Sequence, residues 1–377
     1  MADLVSHPDE IKIVSRRFGQ GATKLDRYLE LDGYKALQKA LSMQPDDIIN
    51  TVKNSGLRGR GGAGFNTGMK WSFVPKQSPK PKYILCNGDE SEPGTCKDRL
   101  IFEHDPHAVI EGVVIAGLAV GSTQGYIYIR GEYRYLSEIM QKAIADAYAR
   151  GFLGQNIFGS GRDFEVYWHG GAGAYEVGEE SALMESLEGK RGIPRIRPPF
   201  PAVVGLWGGP TVINNAETLA SVPHILLGGA EWFANLGTPK NGGTRLFCLS
   251  GNLERPGVYE LVVLDDTACI VKFALRTMKF YQHESCGWCI PCREGTDWLK
   301  KTLIRFHSGG GLMKDIDNMY YLSENMLGRT FCPLGDAAAM PMMAFIKKFR
   351  QEFEDHLEGR PCACEGAAVE QLPVMAD

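Results

Sequence analysis

Between Leu29 and about Ser55 the apolar residues Leu37, Leu41, Ile48, Ile49 and Val52 recur at helical intervals, and the pattern stops at Gly56, where a glycine-rich loop opens. The loop therefore follows a helix. Tyr83-Ile84-Leu85-Cys86 then predicts a strand, Gly88 to Gly94 an acidic loop, Pro106 to Val120 a helix, and Tyr126-Ile127-Tyr128-Ile129 a further strand. A helix from Leu136 to Gly151, a strand from Phe164 to Trp168 and a helix from Glu179 to Leu187 continue the alternation, and Pro194 to Pro201 forms a proline-rich surface segment. Strands and helices in turn predict an α/β fold.

Thr244 to Asp265 is strand-like, whereas the chain beyond Asp266 has helical periodicity, with amphipathic segments at Ala268 to Gln282, Thr296 to Phe306 and Met340 to His356. The change of period predicts an α/β domain over 1–265, a small helical domain over 266–365 and a loose tail over 366–377.

Composition narrows the function. With 377 residues, 44% of them hydrophobic, the chain can build two or three cores. A net charge of −4 gives no electrostatic reason to expect nucleic-acid binding. No apolar run is long enough for a membrane helix, and the first residues carry no targeting pattern, so a cytoplasmic location is expected.

Four constellations carry candidate chemistry. Gly59-Arg60-Gly61-Gly62-Ala63-Gly64-Phe65 satisfies G-x-G-x-x-G, but it follows a helix rather than a strand, which disfavours an ordinary dinucleotide fingerprint. Adjacent glycines still let backbone N–H groups approach an anion or a flat ring, with Arg60 and Lys70 as sources of positive charge; a plain flexible turn is the alternative. Asn87-Gly88-Asp89-Glu90-Ser91-Glu92 places acids after a strand, where α/β sheets bind ligands; a solvated turn or a Mg²⁺ or Ca²⁺ site are the other readings. Gly170 to Glu180 is a second glycine loop running into a helix whose start carries Glu179 and Glu180, acids that would also suit helix capping.

Cys286, Cys289 and Cys292 are spaced by three, and Cys332 follows forty residues later. Such spacing fits a four-iron cluster, with structural zinc as the rival. Cys362 and Cys364 form either a further metal clip or inert thiols, and Cys86 and Cys248, in apolar runs, are expected to be small core residues.

Taken in order, Gly56 to Phe65, Asn87 to Arg99, Gly171 to Gly189, Asn214 to Thr218 and Glu284 to Gly295 closely resemble the NADH- and FMN-binding subunit family of respiratory complex I (NADH:quinone oxidoreductase), and the related flavin subunits of NAD-linked hydrogenases and formate dehydrogenases. The resemblance covers nearly the whole chain. It implies a Rossmann-like FMN domain followed by a helical-bundle iron–sulfur domain. FMN would be held by Gly59, Arg60, Gly61, Gly62, Gly64, Lys70, Asn87, Asp89, Glu90, Tyr175, Gly178, Glu179, Asn214, Asn215 and Thr218. NADH would meet Phe65, Phe73, Glu92, Glu180, Arg197 and Phe200, and a [4Fe-4S] cluster would be bound by Cys286, Cys289, Cys292 and Cys332. The implied activity is NADH oxidation by hydride transfer to FMN, with electrons passed singly to the cluster. The implied partners are a thioredoxin-like [2Fe-2S] subunit and a large multi-cluster iron–sulfur subunit, in a complex attached to the cytoplasmic face of the inner membrane. A soluble hydrogenase or formate dehydrogenase module, and a non-catalytic, zinc-stapled nucleotide-binding scaffold, are the alternatives.

The sequence departs from that family at four residues and at one longer segment. Most relatives have Pro at Asn66, Cys at Val177 and Gly209, and Lys at Arg197. They also carry a β-grasp domain between segments matching Pro256 to Leu261 and Asp265 to Cys269, where only a few residues intervene here, so loss of that module is expected.

Overall fold

A computed structural model describes residues 11–238, 240–251, 260–263 and 268–357. Cys362, Cys364, the tail and most of the expected β-grasp junction lie outside the described residues. The chain divides between Val262 and Val263 into two compact units.

In the first unit, α1 (Leu25–Glu30), α2 (Lys35–Leu41), α3 (Pro45–Asn54) and α4 (Thr67–Ser72) precede β1 (Tyr83–Gly88). Then come α5 (Lys97–His104), α6 (Pro106–Val120), β2 (Gln124–Ile129), α7 (Tyr135–Ala149), β3 (Glu165–Gly170), α8 (Glu180–Leu187), β4 (Thr211–Asn215), α9 (Ala216–Gly228) and α10 (Ala230–Asn235). Short strands β5 (Cys248–Gly251) and β6 (Glu260–Val263) pair with each other.

The main sheet has the order β3-β2-β1-β4 with every neighbour parallel. One face is covered by α6 and α9, which are themselves overlain by α2 and α3. That sandwiching explains why α6 has no polar side: all fifteen of its residues are buried. The α6 and α9 backbones approach closely at Gly112, where a Cβ would stand 2.1 Å from Leu219 O. The opposite face packs Tyr83, Leu85, Tyr128 and Ile213 against Val177 and against Leu183 and Met184 of α8.

The second unit is a bundle of α11 (Ile270–Glu284), α12 (Ile290–His307), α13 (Met313–Met326) and α14 (Leu334–Leu357), each packed on its neighbour and α14 closing on α11. Leu275, Met278, Leu299, Leu303, Phe306, Met319, Met342 and Phe353 fill its centre.

The structure corrects several boundaries. The single helix expected over 29–55 is three, because Asp32 and Tyr34 take left-handed backbone angles and Pro45 starts a new helix. Helices α12 and α14 begin six residues earlier than their apolar periodicity, at Ile290 and Leu334.

Candidate functional site

Because β1 leads outward through β2 to β3 and the chain then returns to place β4 on the other side of β1, the strand order reverses between β1 and β4. Open parallel sheets bind ligands at that crevice, outside the carboxyl ends of the strands. Asn87 and Asn215 are register partners there. The Asn87 amide donates to Gly178 O at 2.8 Å, which ties β1 to the turn before α8. Asn214 accepts from the buried indole N–H of Trp71 at 2.8 Å. Asn215 caps α9 through Glu217 N at 2.9 Å.

The first glycine loop closes on the same place. Its neck is pinned by Gly59 N to Phe65 O (2.8 Å) and Thr67 N to Leu57 O (2.9 Å), and Arg60 N donates to Thr218 Oγ1 at 2.9 Å. A Cβ on Gly61 would press within 3.2 Å of Asn215 Cβ, whereas Gly62, at positive φ, faces open space, and a Cβ on Gly64, also at positive φ, would meet the Arg58 side chain at 3.8 Å. The result is a backbone cradle that is open at Gly62. Asn66, where most relatives carry Pro, caps α4 by accepting from Met69 N at 2.9 Å.

The two cations expected here have different fates. Lys70 Nζ donates to Ile213 O (2.8 Å) and Glu180 Oε2 (2.7 Å), at the end of β4 and only partly buried. Arg60 is turned inward: its guanidinium is buried and donates to Gly242 O (3.2 Å) and Thr244 O (2.8 Å), with Glu217 at 4.0 Å. Its guanidinium braces the loop from beneath.

The acidic loop also divides its labour. Glu90 accepts from Asp98 N (2.8 Å) and Arg99 N (3.0 Å), capping α5, and burial pushes its carboxyl up to about 8. Burial pushes Asp89 up to about 7, against the pull of the Ser91 hydroxyl and of Arg130. Asp89 Oδ2 is buried without a protein partner, so this corner of the crevice holds a polar atom that a ligand would satisfy. Glu92, on the exposed side, accepts from Tyr175 OH at 2.6 Å.

Glu179 is the N-cap of α8, accepting from Ser181 N (2.9 Å) and Ala182 N (3.0 Å), so the capping alternative holds for its carboxylate. Arg197 pairs with Glu179 and lies 3.2 Å from Glu180. Phe65 and Phe73, both about half exposed, stand as a ring pair 6.0 Å apart, and Phe200 is exposed as well. Gly178 lies against Asp89, a Cβ there meeting Asp89 O at 3.5 Å. Of the remaining departures, Val177 is buried, and a Cβ at Gly209 would stand 2.3 Å from Pro81 O, so the local packing demands glycine.

Sequence reasoning gave no role to Lys97, Asp98 or Glu217, although they lie within the segments that carry the resemblance. All three are buried directly beneath the cradle. Lys97 Nζ lies 2.8 Å from Asp98 Oδ1 and 3.1 Å from Glu217 Oε2, and Asn215 donates to Asp98 Oδ2 at 2.6 Å. The signal available was a run of charges, Lys97-Asp98-Arg99, starting a helix whose next turn is apolar.

In the second unit, Cys286 and Cys289 lie in the turn that starts α12, Cys292 is buried in its first turn, and Cys332 precedes α14. Gly287 takes a positive φ, and Arg293 Nη1 holds its carbonyl at 2.9 Å. The Trp288 and Phe331 rings, next to Cys289 and Cys332, pack 4.6 Å apart, so the two cysteine-bearing turns face each other. The Ser285 hydroxyl lies 3.2 Å from Cys292 Sγ. Among the described residues no three His, Cys, Asp or Glu side chains are close enough together to share a single ion. The fit of a cluster thus rests on thiolate chemistry, spacing and the apposed turns.

A family model described as the Nuo51 FMN-binding domain matches residues 52–224, and one described as the NADH-ubiquinone oxidoreductase-F iron-sulfur binding region matches residues 272–356. The NADH-quinone oxidoreductase F 2 subunit of Rhizobium meliloti (strain 1021) is 46% identical, covering 90% of this chain and 95% of its own length. The NADH-quinone oxidoreductase F subunit of Mycobacterium tuberculosis (strain ATCC 25618 / H37Rv) is 47% identical, over 89% and 90%. The Rhizobium alignment runs over 401 positions yet takes in 90% of this 377-residue chain, leaving about sixty positions without a counterpart here. A crystal structure of NAD+-reducing [NiFe]-hydrogenase in the H2-reduced state superposes with a TM-score of 0.77 at 34% identity, over 84% of this chain. The chain spans 63% of the length of that hydrogenase chain.

Proposed function

The chain belongs to the family of NADH-quinone oxidoreductase F subunits, and from that membership we propose that it oxidises NADH at the β1/β4 crevice and delivers the electrons through its cysteine-bearing bundle. The observation that carries the proposal is the backbone cradle of Gly59 to Phe65, which opens onto a strand-order reversal lined by Asn87, Asp89 and Asn215.

When bound, FMN supplies hydride acceptance from NADH, and a [4Fe-4S] cluster supplies one-electron transfer. The chain's own residues bind and orient. The bare N–H edge of Gly61, Gly62 and Gly64 approaches a flat ring or phosphate, and Lys70 supplies the positive charge on that side, since the Arg60 guanidinium is turned inward. Asp89, protonated below about pH 7, then offers a hydroxyl from its otherwise unsatisfied oxygen. Phe65 and Phe73 form an exposed aromatic pair for a nucleotide base, while Glu92 and Glu180 accept from hydroxyl or amide groups. Tyr175 fixes Glu92, and Arg197 with Lys70 fixes Glu180. No side-chain acid or base is required for hydride transfer. Cys286, Cys289, Cys292 and Cys332 are the proposed cluster ligands.

The division of labour follows the proposed domains, 1–265 for flavin and nucleotide and 266–365 for the cluster. We assign the shortfall of about sixty positions to the β-grasp module, between the two matched regions. As an F subunit the chain works within a multi-subunit complex. Its proposed neighbours are a thioredoxin-like [2Fe-2S] subunit and a large multi-cluster subunit, at the cytoplasmic face of the membrane. Among the described residues no helix is long and apolar enough to cross a membrane. The likeness to the hydrogenase chain keeps a hydrogenase-linked module as the second reading, and the higher identity to the quinone-linked relatives favours the first.

The test is an absorption spectrum of anaerobically purified protein before and after NADH, with flavin and iron quantified. Flavin bands that bleach with NADH over a broad iron–sulfur shoulder, with about four irons per chain, are expected. A colourless, zinc-containing protein would overturn the proposal in favour of a nucleotide-binding scaffold.

A further inference from the structure

Two cysteines outside the proposed cluster set stand together in the first unit. Cys96 is the N-cap residue of α5 and half-buried; Cys248 opens β5 and is 1% exposed. They are 152 residues apart in sequence, yet Cys96 N donates to Cys248 Sγ at 3.1 Å and the two thiols are hydrogen-bonded to each other. We propose that Cys96 and Cys248 are an oxidation-sensitive dithiol, in which Cys96 reacts with hydrogen peroxide and Cys248 resolves the product to a disulfide.

The two members have unequal environments, which assigns their order. Cys96 sits at the start of an eight-residue helix, with the Arg99 guanidinium in electrostatic contact, and both favour a thiolate. The opposing charges are Glu90, which accepts from the same helix end and which burial pushes up to about 8, and Asp98 in the first turn, which is paired with Lys97 Nζ at 2.8 Å. Cys248 is inaccessible, and its thiol is pushed far up by its bond to Cys96 and by burial. An accessible thiolate beside a buried resolving thiol is the arrangement that redox-sensor pairs use.

The chemistry balances without another cofactor. The Cys96 thiolate attacks hydrogen peroxide, forming an S–O bond, breaking the O–O bond and, with one proton, releasing water. Cys248 sulfur then displaces the hydroxyl from Cys96 sulfur, and its proton leaves with that hydroxyl as the second water. Two thiols are oxidised to one disulfide and one peroxide is reduced to two waters. The bond would join the start of α5, whose amides hold Glu90, to the strand that follows Thr244 and Leu246, which hold Arg60 and Glu217. Both sides of the crevice floor would then be covalently linked.

Peptide mapping under non-reducing conditions, after graded hydrogen peroxide and with dimedone present, tests the proposal on the full chain with its bound groups. The wild type should yield a Cys96–Cys248 cross-linked peptide that dithiothreitol dissolves. Cys248→Ser should give no cross-link and instead a dimedone adduct on Cys96, and Cys96→Ser should leave Cys248 unmodified. A wild type that accumulates the adduct or sulfinate on Cys96 without a cross-link overturns the proposal. So does an unmodified Cys96 at peroxide levels that oxidise Cys286, Cys289 or Cys292. The wild-type result decides even if a variant fails to fold, and it is independent of whether NADH is the substrate.

Discussion

Lys97 Nζ lies 3.1 Å from Glu217 Oε2, with both side chains almost wholly withdrawn from water beneath the glycine cradle. Burial opposes the ammonium, but Asp98 and Glu217 outweigh it and hold Lys97 protonated. Removing one member of a buried ion pair strands the other, at a cost of roughly 3–5 kcal/mol. Lys97→Met is therefore expected to lower the urea midpoint sharply and to release flavin, because Asp98 loses the partner that helps it hold Asn215. Adding Glu217→Gln to Lys97→Met should restore part of the stability. A double variant less stable than the single one would show that Glu217 is held by something other than Lys97.

That network also shows where the sequence stops being legible. The strands Tyr83–Gly88 and Gln124–Ile129 and the helix Pro106–Val120 carry local signals, and the glycine loops announce themselves by composition. Strand β4 was missed because only Val212 and Ile213 are apolar before Asn214-Asn215, a pair that alone reads as a turn. Helix α9 was missed because eleven of its thirteen residues are buried, so it has no polar face to give it a period. The inward turn of the Arg60 side chain is equally illegible, because a cation in a glycine loop resembles a phosphate ligand. Its real partners, the carbonyls of Gly242 and Thr244, lie more than 180 residues away, where no local pattern points.

Glu92 is exposed and accepts from Tyr175 OH, on the outer side of the acidic loop rather than in the buried crevice floor. Glu92→Ala is expected to raise the KM for NADH about tenfold, a loss of roughly 1.4 kcal/mol of binding, with flavin content unchanged. Tyr175→Phe, which removes one hydrogen bond to the carboxylate but keeps the carboxylate itself, should have a smaller effect in the same direction. Steady-state kinetics with an artificial acceptor measure both, and an unchanged KM in Glu92→Ala would remove Glu92 from the nucleotide site.

Cys332 lies in the bundle, in a different compact unit from the crevice. Cys332→Ser should therefore empty the cluster site while FMN stays at its wild-type stoichiometry. Iron and flavin assays on the same preparation read the two independently. Parallel loss of both would mean that the two units do not hold their cofactors separately.

Asp89 gives the flavin-free protein a pH dependence whose sign follows from its raised carboxyl. In the unfolded chain this group ionises near 3.8, and in the folded one at about 7. Between those values the folded form binds the extra proton, so the contribution is fully present below about pH 4, declines as pH rises and is lost by about pH 7. A shift of this size corresponds to about 4 kcal/mol, the cost of keeping an ionised carboxylate in that corner. Asn at this position keeps an oxygen for the Ser91 hydroxyl and carries no charge. Asp89→Asn is thus expected to match the wild type near pH 4 and to exceed its urea midpoint at pH 8. Equal midpoints for the two proteins at pH 8 would mean that Asp89 is solvated when ionised, and it would then not serve as a neutral hydroxyl donor in the crevice.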